Sequence, residues 1–285
     1  MPNDGVCAST AVQERRGCTN ILGCVDAHLA LKTFFQERGK CFQNTVQAFP
    51  PVWEAFESLD EVWLRELSDL THVSGSDLIC GVLYYSAHSR VRAAVELGFS
   101  RCLPDAWSSL RAGVESVAFA SCIRQDSVLA RRLVAARPDA RFKTFRRTFN
   151  DIREKSLRHA SKYGLKELRR YWNRYSDSGS HVTVGSLASR VTGSVSGSTR
   201  SVAFNYLEVK KDVLLGALTD ILMCSCVMEQ VLFRDFKPRL RLDPQLEVLR
   251  AGLRDRREAA VKFLHSEVPR VAPTSFFEVG ISVKV

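Results

Sequence analysis

Val213-Leu214-Leu215-Gly216-Ala217-Leu218-Thr219-Asp220-Ile221-Leu222-Met223-Cys224-Ser225-Cys226-Val227-Met228-Glu229-Gln230-Val231-Leu232-Phe233 decides how the rest of the chain is read. The run is long enough to cross a bilayer, which takes about 20 apolar residues in a helix. Asp220 and Glu229 argue against a span, because an acid at membrane depth is costly. The better reading is the buried central helix of a bundle. Pro238 closes the segment, and its helix is expected to begin near Phe204.

The flanks carry further helical patterns. Asp243-Pro244 opens a last helix with Leu246, Leu249, Leu253 and Phe263, and an extended tail follows Pro269. Upstream, Pro104 and Asp105 open a helix through Leu110 and Ala120, and a short helix from Ser127 to Ala136 stops before Pro138. Ser74-Gly75-Ser76-Asp77 begins a helix that Gly98 is expected to end. Val52 to Leu70 places Trp53, Phe56, Leu59 and Trp63 three and four apart, a stripe suited to a core rather than to base stacking. A further helix is expected over Ile21 to Phe35. The Ser, Thr, Gly and Val residues after His181 read as a flexible loop, with at most a short hairpin. The fold class is therefore all-α. We expect N-terminal helices over 1–103, a helical core over 104–265 and an extended tail over 266–285.

Composition agrees with a globular protein: 285 residues, 45% hydrophobic and 25% charged. Met1 to Arg16 is polar and lacks the apolar region of a signal peptide, so a cytoplasmic location is expected. The nine cysteines include no C-x-x-C pair and no cluster with zinc-ligand spacing, which points to reduced thiols and no metal or other cofactor.

The formal net charge of +10 favours an anionic partner. Ala140 to Tyr175 holds twelve Arg/Lys against three Asp/Glu, nearly the whole surplus. Phe142, Phe145, Phe149 and Ile152 keep an apolar stripe through its first part, so a continuous basic helix is expected. Lys155, Arg158, Lys162, Lys166, Arg169 and Arg170 are the candidate phosphate contacts. This helix runs through Arg174 into Ser176-Asp177-Ser178-Gly179-Ser180-His181. Arginine can hold a phosphate and histidine can move a proton near neutral pH. Together they suit metal-free RNA cleavage, in which the 2′-hydroxyl attacks the adjacent phosphate. The plainer alternative is that Arg174 lies on a solvated helix face and His181 caps the next segment. Arg65 with His72 and Arg153 with His159 have similar spacing, but the first pair adjoins an acidic helix and the second lies within the basic one.

Arg174-x6-His181 resembles the R-x(4–6)-H signature of the HEPN superfamily, α-helical bundles that include metal-independent endoribonucleases of bacterial toxin–antitoxin and abortive-infection systems. Tyr175 stands where that family often has Asn, Asp or His. The wider order is similar to that of uncharacterised bacterial HEPN-like proteins over about residues 104–232: Leu110, Arg111, Glu115 and Ser116 on one helix, then a basic helix, then Tyr171, Tyr175, Ser176, Ser180 and His181. The resemblance implies a HEPN-like core with Arg174 stabilising phosphate charge and His181 as acid and base. Ser176 and Ser180 would be hydrogen-bonding helpers, and Arg111 and Glu115 would orient the site from the neighbouring helix. It also implies a homodimer acting on RNA, and an antitoxin or partner protein. Two other classes remain open: a non-catalytic helical module that binds nucleic acid or an acidic partner through 140–175, and a peripheral membrane protein docked through the same run.

Overall fold

The computed structural model describes residues 31–70, 75–135, 147, 150–151, 156–176, 191–196, 199–204, 207–208, 210–240 and 244–267. Its α-helices are α1 (Leu31–Ala48), α2 (Pro50–Ser68), α3 (Gly75–Phe99), α4 (Leu103–Gln125), α5 (Ser127–Ala135), α6 (Lys166–Tyr175), α7 (Lys211–Phe236) and α8 (Pro244–Glu267). The all-α class is thus observed, with one hairpin as an excursion. β1 (Val191–Ser196) pairs antiparallel with β2 (Thr199–Phe204), from Val191 opposite Phe204 to Ser196 opposite Thr199.

Helix α7 is the axis of the bundle. Leu214, Leu218, Ile221, Cys224, Met228, Leu232 and Phe236 are among its buried residues, and the buried set covers more than half of its circumference, leaving Gln230 and Arg234 exposed on the other side. No helix among the described residues is long and apolar enough to cross a membrane. Burial of α7 is completed by α2, α3, α4, α6 and α8, each of which packs on it. One contiguous hydrophobic cluster extends from Phe49 to Leu264, so the helices before and after residue 103 share a core.

Contacts fix the helix directions. In α3 and α4 the pairs Cys80–Ala120, Ser86–Ser116 and Arg90–Ser109 progress in opposite senses, so this helical hairpin is antiparallel. Helices α4 and α7 run parallel, with Gly113 beside Met228 and Arg124 hydrogen-bonded to the Asp235 carbonyl. Helix α8 runs antiparallel to α2, with Arg250 on Glu66 and Phe263 against Phe49.

Four expectations are corrected. Helix α1 continues past Phe35 to Ala48, because Phe42 finds an aromatic cluster with Trp53 (5.7 Å) and Phe99 (6.0 Å) while Gly39 faces open space. Gly98 does not terminate α3. It lets α3 approach α7, where an added Cβ would lie 2.6 Å from Ile221 Cδ1. The helix ends one residue later, at Phe99, in a Schellman arrangement: Cys102 N–H donates to the Leu97 carbonyl and Arg101 N–H to that of Gly98, with Arg101 at φ 66°. The basic segment is not a continuous helix, because residues 159–164 form turns before α6. Helix α7 begins at Lys211 rather than Phe204, because 199–204 pair as β2.

Candidate nucleic-acid interface

Helix α6, Lys-Glu-Leu-Arg-Arg-Tyr-Trp-Asn-Arg-Tyr, has only a narrow apolar stripe. Leu168 and Tyr175 are buried, and Tyr171 and Trp172 are half-buried against the core. The remaining positions are exposed, and Glu167 is their single acid. The stripe sits on both α4 and α7, antiparallel to each: Trp172 meets Glu115 while Tyr163 meets Gln125 on α4, and Arg174 meets Asp220 while Gly164 meets Arg234 on α7.

The turn before α6 is tightly specified. Leu165 N–H donates to the Ala160 carbonyl at 2.7 Å, Gly164 N–H to that of Ser161 at 3.4 Å, and Gly164 has φ 66°. Glycine is needed there twice over. The backbone is left-handed, and a Cβ would meet Arg234 Nη1 at 2.7 Å. Arg234 of α7 donates to the carbonyls of Tyr163 and Gly164, and Gln125 of α4 also reaches the Tyr163 carbonyl. The C-terminal ends of the two core helices therefore anchor the basic segment.

The candidate phosphate contacts that lie among the described residues, Arg158, Lys162, Lys166, Arg169 and Arg170, are all exposed. Arg169 Nη1 donates to the Arg158 carbonyl at 3.1 Å and draws the turn segment alongside α6. Lys162 lies 3.8 Å from Asp126, and Arg170 3.0 Å from Glu167. Exposed pairs of this kind contribute about 0–1 kcal/mol and yield to a competing phosphate. Lys155 lies outside the described residues.

Arg174 stands at the last turn of α6. Its Nη1 donates to both carboxylate oxygens of Asp220 on α7, at 2.6 and 2.7 Å, and its side chain remains 55% exposed. The Tyr175 hydroxyl donates to the Asp220 carbonyl at 3.3 Å. Ser176 is nearly buried, and its hydroxyl donates to the Trp172 carbonyl at 2.7 Å. Ser180 and His181 lie outside the described residues, so Arg174 and Ser176 are the placed members of the expected catalytic set. Tyr171 and Tyr175 stack at 5.9 Å. Burial pushes the Tyr171 phenol up to about 12 and that of Tyr175 well above its ordinary value. Neither phenol exchanges a proton near neutral pH.

Arg111 and Glu115 are brought to the same helix. Trp172 Nε1–H donates to Glu115 Oε1 at 2.9 Å, and the Arg111 guanidinium lies 5.1 Å from the Trp172 ring centre. Arg111 and Glu115 approach to 3.6 Å and are both half-buried. This α4 pair is turned toward α6 rather than spread on an outer surface.

Sequence reading missed two polar clusters. In one, Glu66 of α2 accepts from Tyr84 of α3 and Arg250 of α8, each at 2.5 Å, and Arg250 also donates to Glu229 of α7. Burial, with the Glu229 charge nearby, pushes the Glu66 carboxyl up to about 9. In the other, Asp60 accepts from His88 at 2.7 Å and from Arg92 at 2.6 Å to each carboxylate oxygen. Burial acts to raise the Asp60 pKa, but the hydrogen bonds from Arg92 and His88 hold it well below the usual carboxylate range. Acids on apolar helix faces were the only signal, and they do not name their partners. Among the described residues no three His, Cys, Asp or Glu side chains gather as a metal site needs. Comparison with family models, curated proteins and solved structures finds no match for the chain.

Proposed function

We propose that the protein binds RNA through the exposed face formed by α6 and residues 156–165. The carrying observation is the division of this element. Leu168 and Tyr175 lock it to the core, while Arg158, Lys162, Lys166, Arg169 and Arg170 all point outward from a braced backbone. Such a surface suits phosphate contact. The test is retention of total RNA by the purified chain, beside a Lys166→Ala/Arg169→Ala/Arg170→Ala form. Binding that falls with salt and is lost in the variant supports the reading. Equal binding by both proteins refutes it.

A second reading, metal-independent endoribonuclease activity with Arg174 and His181, is favoured by the fixed Arg174. A guanidinium oriented by Asp220 is held ready to face a phosphate. In that form the pair acts across a homodimer, in the cytoplasm of a bacterium, as a defence or toxin-type activity restrained by an antitoxin or partner protein. Incubation of RNA with the protein in EDTA should then give 2′,3′-cyclic phosphate ends, and Arg174→Ala and His181→Ala should give none. Equal cleavage by wild type and both variants refutes the assignment.

A further inference from the structure

We infer that the RNA taken by this face is double-stranded and is held by its phosphates without regard to sequence. The inference rests on the RNA-binding reading and specifies its ligand. Proteins that hold single strands gain much of their affinity from aromatic rings on which bases stack. Among the described residues of 156–176 every tyrosine and tryptophan ring is committed elsewhere, and a single imidazole, that of the exposed His159, is no platform for successive bases. Tyr163 is buried, with Lys162 Nζ 5.1 Å above its ring, and Tyr175 is fully buried. Tyr171 is half-buried and stacks on Tyr175, and Trp172 is fixed at its edge by Glu115 and lies beneath Arg111.

The outward cations are arranged in two rows, with Glu167 the single exposed acid among them. Lys166, Arg169 and Arg170 follow one side of α6. With a rise of about 1.5 Å per residue they cover a short stretch of helix. Arg158 and Lys162 lie on the turn segment, which the Arg169 bond to the Arg158 carbonyl ties beside that row. A single strand offers one line of phosphates to such a surface. A duplex offers two, at twice the charge density, and hides its bases. The brace at Gly164 and Arg234 keeps the two rows at a fixed separation, as a rigid duplex requires and a flexible strand does not.

The experiment is fluorescence anisotropy with a labelled 20-nucleotide RNA, alone and annealed to its complement, and with a scrambled duplex, between 50 and 200 mM salt. The expected result is duplex affinity at least tenfold above that for the single strand, equal for both duplex sequences. If all five cations engage, the log–log salt slope should be about −4.5, or about 500-fold over that range. The triple alanine variant should lower that slope by about 3. Single-strand affinity equal to or above that of the duplex, or discrimination between the two duplexes, overturns this inference and leaves RNA binding intact. Failure of both RNA forms to bind overturns the RNA-binding reading itself.

Discussion

The Glu66–Glu229 pair makes stability depend on pH in a direction opposite to that of most paired carboxylates. The two acids meet on α2 and α7, with Arg250 donating to both and the Tyr84 hydroxyl to Glu66. Their relative exposures are 0% and 2%. One guanidinium balances one negative charge, so the folded pair retains a proton, and burial pushes Glu66 up to about 9 from an ordinary 4.5. The unfolded chain releases that proton near its ordinary value. Folding therefore takes up a proton between these limits, and stability falls as pH rises through them, by at most about 1.4 kcal/mol per pH unit. Between pH 6 and 8, which lies wholly inside those limits, the loss should be about 3 kcal/mol. Glu66→Gln removes the titration. Its carbonyl can still accept from Arg250, and its amide can turn to the Tyr84 oxygen. Urea unfolding at pH 6, 7 and 8 should show the difference between wild type and Glu66→Gln moving by about 3 kcal/mol in favour of glutamine. A pH-independent difference, or one that moves toward glutamate, refutes the shared proton.

Other perturbations read other parts of the structure. Asp220→Asn releases Arg174 from its carboxylate and should raise RNA affinity several-fold, with the salt slope steeper by about 1 in the anisotropy titration. Gly164→Ala places a side chain at φ 66° against Arg234, so it should cost about 1–2 kcal/mol in thermal unfolding and increase hydrogen exchange over 156–165. Arg250→Met leaves two buried acids without their cation and should destabilise by about 3–5 kcal/mol at pH 7 in a urea titration, less at pH 5. Trp172→Phe keeps the ring beneath Arg111 but deletes the N–H held by Glu115, and calorimetry should register about 1 kcal/mol.

Periodicity made the core helices legible, because burial repeats along a helix whatever its partner. Trp53, Phe56, Leu59 and Trp63 were assigned to the core from spacing alone; the last three are buried there, and Trp53 is half-buried against it. Helix ends were less legible, because they depend on where neighbours stand. Gly98 has the composition of a stop signal but serves close packing on Ile221, while Arg101, a poor residue for a left-handed cap, forms the actual end. Gly164 carried a usable signal. A glycine followed by Leu165 matches a helix C-terminus with its apolar successor, and the continuous charge around it obscured the break.

The site divides in the same way. Charge density located the basic face, since phosphate contact needs many cations close together and composition reports that directly. Pairings across the fold were not readable, because Arg174 and Asp220 are 46 positions apart and nothing in either segment names the other. The acids of α7 illustrate what was missed. Asp220 and Glu229 entered the sequence reading only as obstacles to a membrane span. In the folded chain each fixes an outer helix: Asp220 holds the end of α6 through Arg174, and Glu229 holds α8 through Arg250. They differ in water access. Asp220 lies beside an exposed guanidinium that a phosphate can reach, whereas Glu229 is sealed against Glu66, and burial raises the pKa of its carboxyl. One helix thus supplies both a carboxylate at the side proposed to bind RNA and a proton-dependent clasp at the opposite attachment. For that reason the Asp220 substitution should change binding with little change in stability, and the Glu66 substitution the reverse.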